Sequence, residues 1–238
     1  MEKWFAMKRV VIYITCLAIV SIFPAACVSG ELTPDAPPAL PAPEIDGESM
    51  FGIDKNININ TIDDYLGRDD VEYIDVRMLF DPADFEAIGG EADLTRTIRG
   101  FKVVPYPFIA TLPSLPVSGA YDGSFLYTLL WNENGELISA SPNFVESEII
   151  VSELFPKDKA IFLMCGGGGY SGVMKSLLIF LGWNEDLLYN IGANWTYNGE
   201  NSLELIIYPE DAKDNKIYAT WRADYAYIEF SKLQKIAD

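Results

Sequence analysis

The sequence predicts an α/β fold built on a parallel sheet. Three consecutive segments carry this prediction: a compact apolar strand "KAIFLM" at residues 159–164, a helix-spaced stretch "YSGVMKSLLIFLGW" at 170–183, and a second strand "DLLYNIG" at 186–192. A strand, a helix and another strand in this order form a βαβ unit, whose two strands run parallel. The chain has 238 residues, of which 50% are hydrophobic, so it is long enough for one main domain.

The amino terminus is typical of a signal peptide. Basic residues precede an apolar run at residues 10–23, and small residues then lead to Cys27. The ending "PAAC" resembles the lipobox of bacterial lipoproteins, although Pro24 stands where Leu is usual. We therefore expect residues 1–26 to be a lipoprotein-type signal peptide and Cys27 to be lipidated. A retained membrane anchor and ordinary secretion are the alternatives.

The next segment predicts a spacer. Residues 31–48 are rich in Pro and Ala, a composition typical of an extended linker, so we expect residues 27–55 to tether the domain to a membrane outside the cytoplasm. Once the signal peptide is removed and Cys27 is lipidated, Cys165 would be the only free thiol, and no internal disulfide could form.

The folded body is expected to begin near residue 56 and to continue to about residue 200. In its first half, "INTIDDYL" predicts a helical turn and "VEYIDVR" predicts a strand. "DPADFEAI" predicts a helix with Asp81 as N-cap and Pro82 at its first position, and "FKVVPYPFIA" predicts a strand broken by two prolines. Two apolar runs around Asn134-Gly135 then predict a β-hairpin. Residues 201–238 contain further β-rich runs, which could be a small appendage or an extension of the sheet.

Composition excludes several kinds of function. The formal net charge of −18 disfavours nucleic-acid binding, because the field of such a surface repels polyanions. The chain contains no histidine, which removes Ser-His and Cys-His catalysis and His-ligated zinc. Its three cysteines show no CxxC spacing, so we expect neither a metal site nor a cofactor.

A glycine-rich loop, "CGGGGYS" at residues 165–171, joins the central strand to the helix. Amide groups at such a junction converge on one point and favour an anion, so Cys165 is a candidate thiolate nucleophile with a lowered pKa. The alternative is that Cys165 is a small apolar residue of the core. The GxGxxG at residues 167–172 would suit a dinucleotide, but no acidic residue directly follows the next strand. A P-loop is not formed either, because no Gly-Lys-Ser/Thr follows and Lys175 comes a turn too late.

Three segments, in order, resemble the rhodanese-like superfamily over roughly residues 57–200. "YIDVR" is similar to the family's early strand ending in Asp-Val-Arg, and "CGGGGYS" is similar to its six-residue active-site loop followed by Ser. "LGWNEDLLYNIGANW" is similar to the stretch that follows the loop. The resemblance implies a central parallel sheet flanked by helices, with residues 111–148 as an inserted hairpin and residues 201–238 as a short extension.

The resemblance also implies sulfur transfer by a membrane-tethered sulfurtransferase or persulfide carrier. Cys165 would take sulfane sulfur from a small donor and pass it to a thiol acceptor, without a metal. The amides of the loop would stabilise the charge, and Asp75 and Arg77 would brace the loop unless they form only an ordinary ion pair. The loop residues concerned are Gly166, Gly167, Gly168, Gly169, Tyr170 and Ser171.

Departures from the family pattern support an alternative, a catalytically degenerate binding module at the cell envelope. The family commonly has Arg at the sixth loop position, where this chain has Tyr170, and no histidine occupies the Gly-His-Ile region. A phosphatase of the Cdc25 type would need Arg at the position of Ser171. Lys175 could supply a cation near the loop, but a solvated helix surface is the simpler expectation.

Two further groups of residues are expected to be structural. We expect the tryptophans to be core or interface residues, namely Trp131, Trp183, Trp195 and Trp221. The acidic cluster is expected to be a solvated face, and consists of Asp63, Asp64, Asp69 and Asp70.

Overall fold

The computed structural model describes residues 37–77, 96–111, 123–204, 226 and 228–237. From Pro38 onward they belong to one compact unit. Its strands are β1 (Val71–Asp75), β2 (Arg96–Ile98), β3 (Lys102–Val103), β4 (Tyr127–Trp131), β5 (Leu137–Pro142), β6 (Ala160–Cys165), β7 (Leu188–Ala193) and β8 (Ser202–Glu204). Its α-helices are α1 (Tyr106–Ile109), α2 (Ser147–Leu154) and α3 (Gly169–Phe180). None of the described helices combines the length and apolar character needed to cross a bilayer.

A four-stranded parallel sheet, in the order β3-β1-β6-β7, is the centre of the fold. Asp75 at the end of β1 aligns with Val103 of β3 on one side and with Met164 of β6 on the other. Cys165 at the end of β6 aligns with Ala193 at the end of β7. The α/β prediction and the parallel pairing of β6 with β7 are therefore confirmed, and the carboxyl ends of the strands meet at one edge.

Strand β6 is buried along its whole length because helices and loops cover both faces of the sheet. Alternate residues point to opposite faces of a strand. Ile161, Leu163 and Cys165 belong to the core cluster that contains α3, whereas Phe162 and Met164 belong to the cluster on the other face. The strand period thus places Cys165 on the helix-covered side of the sheet.

The hairpin predicted around Asn134-Gly135 is present as β4 and β5. Leu130 pairs with Ser139 in an antiparallel ladder, with an irregularity at Trp131. Gly135 has a φ of 78°, a left-handed conformation that glycine adopts without steric penalty. At its base, Leu126 and Tyr127 are buried in the main core. Leu137 and Ala140 of β5 also pack against this core, so both strands join the hairpin to the domain.

Two of the remaining predicted elements are present, and others lie wholly or partly outside the described residues. The predicted helical turn is a 3-10 helix at Ile62–Tyr65, and the strand broken by prolines is β3 followed by α1. Residues 81–88, the predicted helix, lie outside the described residues. Of the β-rich carboxy-terminal runs, only β8 is described as a strand, and it pairs antiparallel with β2.

Residues 38–55, the last part of the predicted tether, pack against the domain. Tyr189 Oη donates to the Pro41 carbonyl at 2.8 Å, and Arg68 Nη1 donates to the Pro38 carbonyl at 2.7 Å. The Asp54 amide donates to the Asn190 carbonyl at 2.7 Å. Proline carbonyls accept hydrogen bonds as readily as other carbonyls, so a Pro/Ala-rich composition does not prevent docking. We call residues 38–55 the strap.

Candidate functional site

The three segments that the sequence singles out converge at the carboxyl edge of the parallel sheet. Asp75 and Arg77 follow β1, the glycine loop follows β6, and Asn190 lies near the end of β7. Gly166, Gly167 and Gly168 form the turn itself, and Gly169, Tyr170 and Ser171 form the first turn of α3. Cys27, the predicted lipidation site, lies outside the described residues.

The loop directs backbone donors at the sulfur of Cys165. The Gly168 amide donates to Sγ at 2.9 Å, and the Ser171 amide also acts as a donor to the thiol. Gly168 has a φ of 92°, which turns its N–H back toward the strand end. Two of the loop amides that sequence analysis selected, those of Gly168 and Ser171, therefore donate to the sulfur instead of facing solvent.

Burial outweighs these donors. The Cys165 residue is only 1% exposed and packs in the same core cluster as Val76, Tyr106 and Met174. Desolvation raises the pKa of the Cys165 thiol, and the nearby Asp75 raises it further, although the loop donors act in the opposite direction. The expectation of a lowered pKa and an accessible thiolate is therefore wrong for this conformation, in which the thiol is neutral at pH 7.

Asn190, which sequence analysis did not select, connects the loop to β7 and the strap. Its Nδ2 donates to the carbonyls of Phe51 at 2.8 Å and Gly168 at 3.2 Å. Its Oδ1 accepts from Ser171 Oγ at 2.7 Å and from the Gly192 amide at 3.1 Å. Ser171 Oγ also lies 3.6 Å from Cys165 Sγ, and its hydrogen bond to the sulfur acts to lower the pKa of the thiol.

Trp195 covers the outer side of the loop. A Cβ added to Gly166 would lie 2.5 Å from the indole, and one added to Gly167 would lie 3.2 Å from it. The Trp195 amide also donates to the Gly166 carbonyl at 3.2 Å. Trp195 is nevertheless 50% exposed, in contrast to the buried Trp183, so it is not a core residue. These two glycines allow a close approach of an aromatic ring.

The strap covers the loop from another side. Ile53 Cδ1 lies 3.3 Å from the position of a Cβ on Gly168, and the Phe51 carbonyl lies 2.7 Å from that of a Cβ on Gly172. Both contacts come from residues after the Pro/Ala-rich stretch 31–48, and they depend on one backbone carbonyl and one isoleucine, so local composition did not predict them. The loop is thus enclosed by the strap and Trp195.

Asp75 and Arg77 form a buried ion pair behind the loop. Arg77 Nη2 lies 2.7 Å from Asp75 Oδ2, and Nε lies 2.8 Å from the same oxygen. Asp75 Oδ1 also accepts the Arg77 amide at 3.0 Å. The pair is fully shielded from solvent on the Asp75 side, so it differs from an exposed strand-end pair. The Asp75 carboxylate thus neutralises the charge of the Arg77 guanidinium.

Tyr170 occupies the sixth loop position and packs inward. Its ring lies 5.7 Å from that of Tyr106, at an interplanar angle of 32°. Burial, followed by the proximity of Cys165, raises the pKa of the Tyr170 hydroxyl. A neutral phenol therefore stands beside the thiol.

Lys175 is buried, and the expectation of a solvated position is wrong. It lies on α3 three residues after Gly172, on the face that the strap covers. Burial lowers the pKa of the Lys175 amine, while Glu185 and Asp54 act to raise it.

The acidic cluster is partly built into the structure. Asp63 Oδ1 accepts from Tyr197 Oη at 2.5 Å and from Asn201 Nδ2 at 2.9 Å. Burial and the bond to Asp63 raise the pKa of Tyr197 to about 12. Asp70 pairs with Arg68 at 2.7 Å. All four aspartates are exposed, as the interpretation as a solvated face predicts.

Trp131 differs from Trp183 in the partner of its indole N–H. Trp183 Nε1 donates to the Phe155 carbonyl at 2.8 Å, whereas Trp131 Nε1 is buried without a described acceptor. Trp221 lies outside the described residues.

Over the part of the chain that the structure describes, no three Cys, Asp or Glu side chains converge as a set of metal ligands. The carboxyl edge instead holds a protected thiol, a neutral phenol and a closed ion pair. No protein-family model, curated protein or solved structure matches the chain.

Proposed function

We propose that this chain is a membrane-tethered, rhodanese-like binding module at the cell envelope, in which the active-site loop serves packing rather than turnover. The burial of Cys165 carries the proposal: a thiol that is 1% exposed and whose pKa is raised is poorly suited to attack a solvated sulfur donor. Tyr170 replaces the usual loop cation with a neutral group.

The family assignment is supported by where the three resembling segments lie. Asp75, Cys165 and Asn190 come from segments far apart in sequence, yet they meet at one edge of the parallel sheet. On this proposal the β4–β5 hairpin is part of an insertion at residues 111–148, and residues 201–238 extend the same domain.

The location and partners are proposed from charge and from the amino-terminal sequence. The signal-like segment and Cys27 support anchoring through lipid on the outer side of a bacterial membrane. The net charge of −18 favours cationic partners over nucleic acid.

A second candidate function is a persulfide carrier, and the donors aimed at Cys165 favour it. If Trp195 moves away, the Gly168 and Ser171 amides could stabilise a thiolate or a persulfide at Sγ. The thiolate would attack the outer sulfur of thiosulfate, the S–S bond would break, and sulfite would leave with the bonding pair. A thiolate or cyanide would then take that sulfur from Cys165 and regenerate the thiolate.

Turnover of thiosulfate separates the two functions. The purified full chain is incubated with thiosulfate and cyanide, thiocyanate is followed, and the intact mass is compared with that of Cys165→Ala. The binding module predicts no thiocyanate above the Cys165→Ala background and no gain of one sulfur on Cys165. Thiocyanate formation that Cys165→Ala abolishes would overturn it in favour of the carrier.

A further inference from the structure

A second concave site lies at the opposite end of the sheet from Cys165. A cleft of about 400 Å³ opens where β1, β3 and β6 begin, and its walls include Val71, Gly100 and Lys159. This volume is within the range of small-molecule sites, about 300 to 1,000 Å³. Strand β6 places six residues between the two ends, a separation of roughly 16 Å. The cleft is therefore separate from the glycine loop.

The cleft is basic in a strongly acidic protein. Arg68, Arg99 and Lys159 line it against a single acid, Asp69, whereas the whole chain has a net charge of −18. A local excess of cations on such a background attracts anions specifically to this point of the surface.

The three basic side chains differ in the ion pairs that they already form. Arg68 is held by Asp70, with Nη2 and Nε at 2.7 and 2.9 Å from its oxygens, and serves mainly as a wall. Lys159 Nζ lies 4.0 Å from Glu72, which also pairs with Lys102. Arg99 is exposed, and among the described residues it forms no ion pair. Arg99 and Lys159 thus have donors available for a ligand.

Part of the lining of the cleft is apolar. It consists of Leu66, Val71 and Tyr73. Tyr73 Oη donates to the Tyr65 carbonyl at 2.6 Å and accepts the Arg68 amide at 3.0 Å, so the phenol is held in place. Gly100, another lining residue with a φ of 95°, has open space where a Cβ would lie, so no side chain fills the cleft at this position.

We propose that this cleft binds a small organic anion, a carboxylate or phosphate ester on a ring-sized scaffold. Arg99 and Lys159 hold the charged group, since guanidinium and ammonium donors form charge-assisted hydrogen bonds with both anions. The scaffold lies on Leu66, Val71 and Tyr73. The proposal gives the binding module a ligand class, but it requires nothing of Cys165.

Binding is tested by calorimetry on the full chain with four probes: glucose 6-phosphate, glucuronate, glucose and inorganic phosphate. We expect binding of glucose 6-phosphate or glucuronate that weakens as salt rises, and none of glucose. The probe that binds identifies phosphate or carboxylate as the natural group. Inorganic phosphate that binds as tightly as glucose 6-phosphate would overturn the organic-ligand assignment, and so would no binding of either organic anion.

Charge reversal locates the site. The double variant Arg99→Glu/Lys159→Glu should weaken binding about tenfold or more. Lys232→Glu/Lys235→Glu makes the same charge change at two exposed lysines outside the cleft and should bind as the parent does. Should the first variant unfold, Arg99→Gln/Lys159→Gln replaces it, with folding checked by circular dichroism. Unchanged affinity in the folded cleft variant would overturn the site.

The result is independent of the thiol. Cys165→Ala should bind the same probe with unchanged affinity, because the cleft lies at the other end of β6. Loss of binding in the cleft variants leaves the thiosulfate assay unaffected, and thiosulfate turnover leaves the cleft titration unaffected. The two proposals can therefore fail separately.

Discussion

The indole of Trp195 lies directly on the backbone of Gly166, where a single added carbon would be 2.5 Å from three ring atoms. This contact relates the glycine run to the burial of Cys165. Because Gly166 and Gly167 have no side chains, the Trp195 ring can lie directly against the loop. In this arrangement Cys165 is buried in the core.

Removing the cover should expose the thiol. Alkylation of Cys165 by iodoacetamide, followed at the level of its own peptide by mass spectrometry, is expected to be slow in the parent chain because the residue is 1% exposed. Trp195→Ala should accelerate it severalfold, since it removes the ring that lies on Gly166 and Gly167. Trp131→Ala, a change in the hairpin, is the matched control and should leave the rate unchanged. Equal rates in the parent and Trp195→Ala would show that other groups protect the sulfur.

Gly166→Ala tests the same contact from the backbone side. The new methyl group cannot coexist with the indole, so the ring must move or the loop must shift, at a stability loss of about 1 to 3 kcal/mol. Gly47→Ala is the control, because no atom lies within 4 Å of its Cβ position. Urea unfolding measures both. A Gly166→Ala protein as stable as the parent, with unchanged tryptophan fluorescence, would contradict the packing.

The pH dependence of stability should report the buried thiol. Because the folded-state pKa of Cys165 is raised, the fold favours the neutral thiol. That contribution is fully present below the unfolded thiol pKa of about 8.5 and is lost as pH rises through the folded value. The stability difference between the parent and Cys165→Ala should therefore fall between pH 7 and pH 10 in urea unfolding. A difference that grows with pH would mean that the fold favours the thiolate.

Asn190→Ala should loosen the loop and the strap together. It leaves the Gly192 amide and the Phe51 carbonyl without their partner, whereas Ser171 Oγ keeps the Gly168 carbonyl at 2.9 Å. Each buried group left unpaired in this way typically lowers the free energy of unfolding by about 1 to 3 kcal/mol. Asn60→Ala, at an exposed position, should change the free energy of unfolding by less than about 0.5 kcal/mol. Hydrogen exchange of the Gly168 and Asp54 amides measures the local effect. Protection that stays at the parent level in Asn190→Ala would rule out its connecting role.

Asp75→Asn should destabilise the domain strongly. It leaves the Arg77 guanidinium buried beside a neutral amide, and breaking a buried pair in this way typically costs about 3 to 5 kcal/mol. Glu229→Gln breaks the exposed pair with Lys232 and should have an effect below about 1 kcal/mol. Thermal unfolding compares the two variants. Similar losses in both would indicate that water reaches the Asp75 carboxylate.

Local sequence was sufficient for the elements whose signals are short-range. The apolar run of β6, the helical spacing of α3 and the Asn134-Gly135 turn each depend on neighbouring residues, and all three are present where they are predicted. The order of strand, helix and strand also predicted the parallel pairing, because such crossovers place the second strand beside the first.

The burial of the side chains in the candidate site depends on contacts between segments that are distant in sequence. The pattern of residues 165–171 allowed both a cradle and a core position for Cys165, and only the placement of Trp195 and the strap decided between them. The helical spacing of Lys175 did not specify its exposure, and only the structure shows that the residue is buried and that Asp54 lies near enough to act on its pKa.

The sequence by itself determined the α/β class, the glycine turn at the end of β6 and the lack of imidazole chemistry, since these follow from residue type and local spacing. The tertiary structure alone decided that the thiol is neutral and enclosed, and that Arg99 and Lys159 share one cleft. The physical reason is that burial and electrostatic fields depend on which distant residues pack around a group. Local spacing does not specify those neighbours.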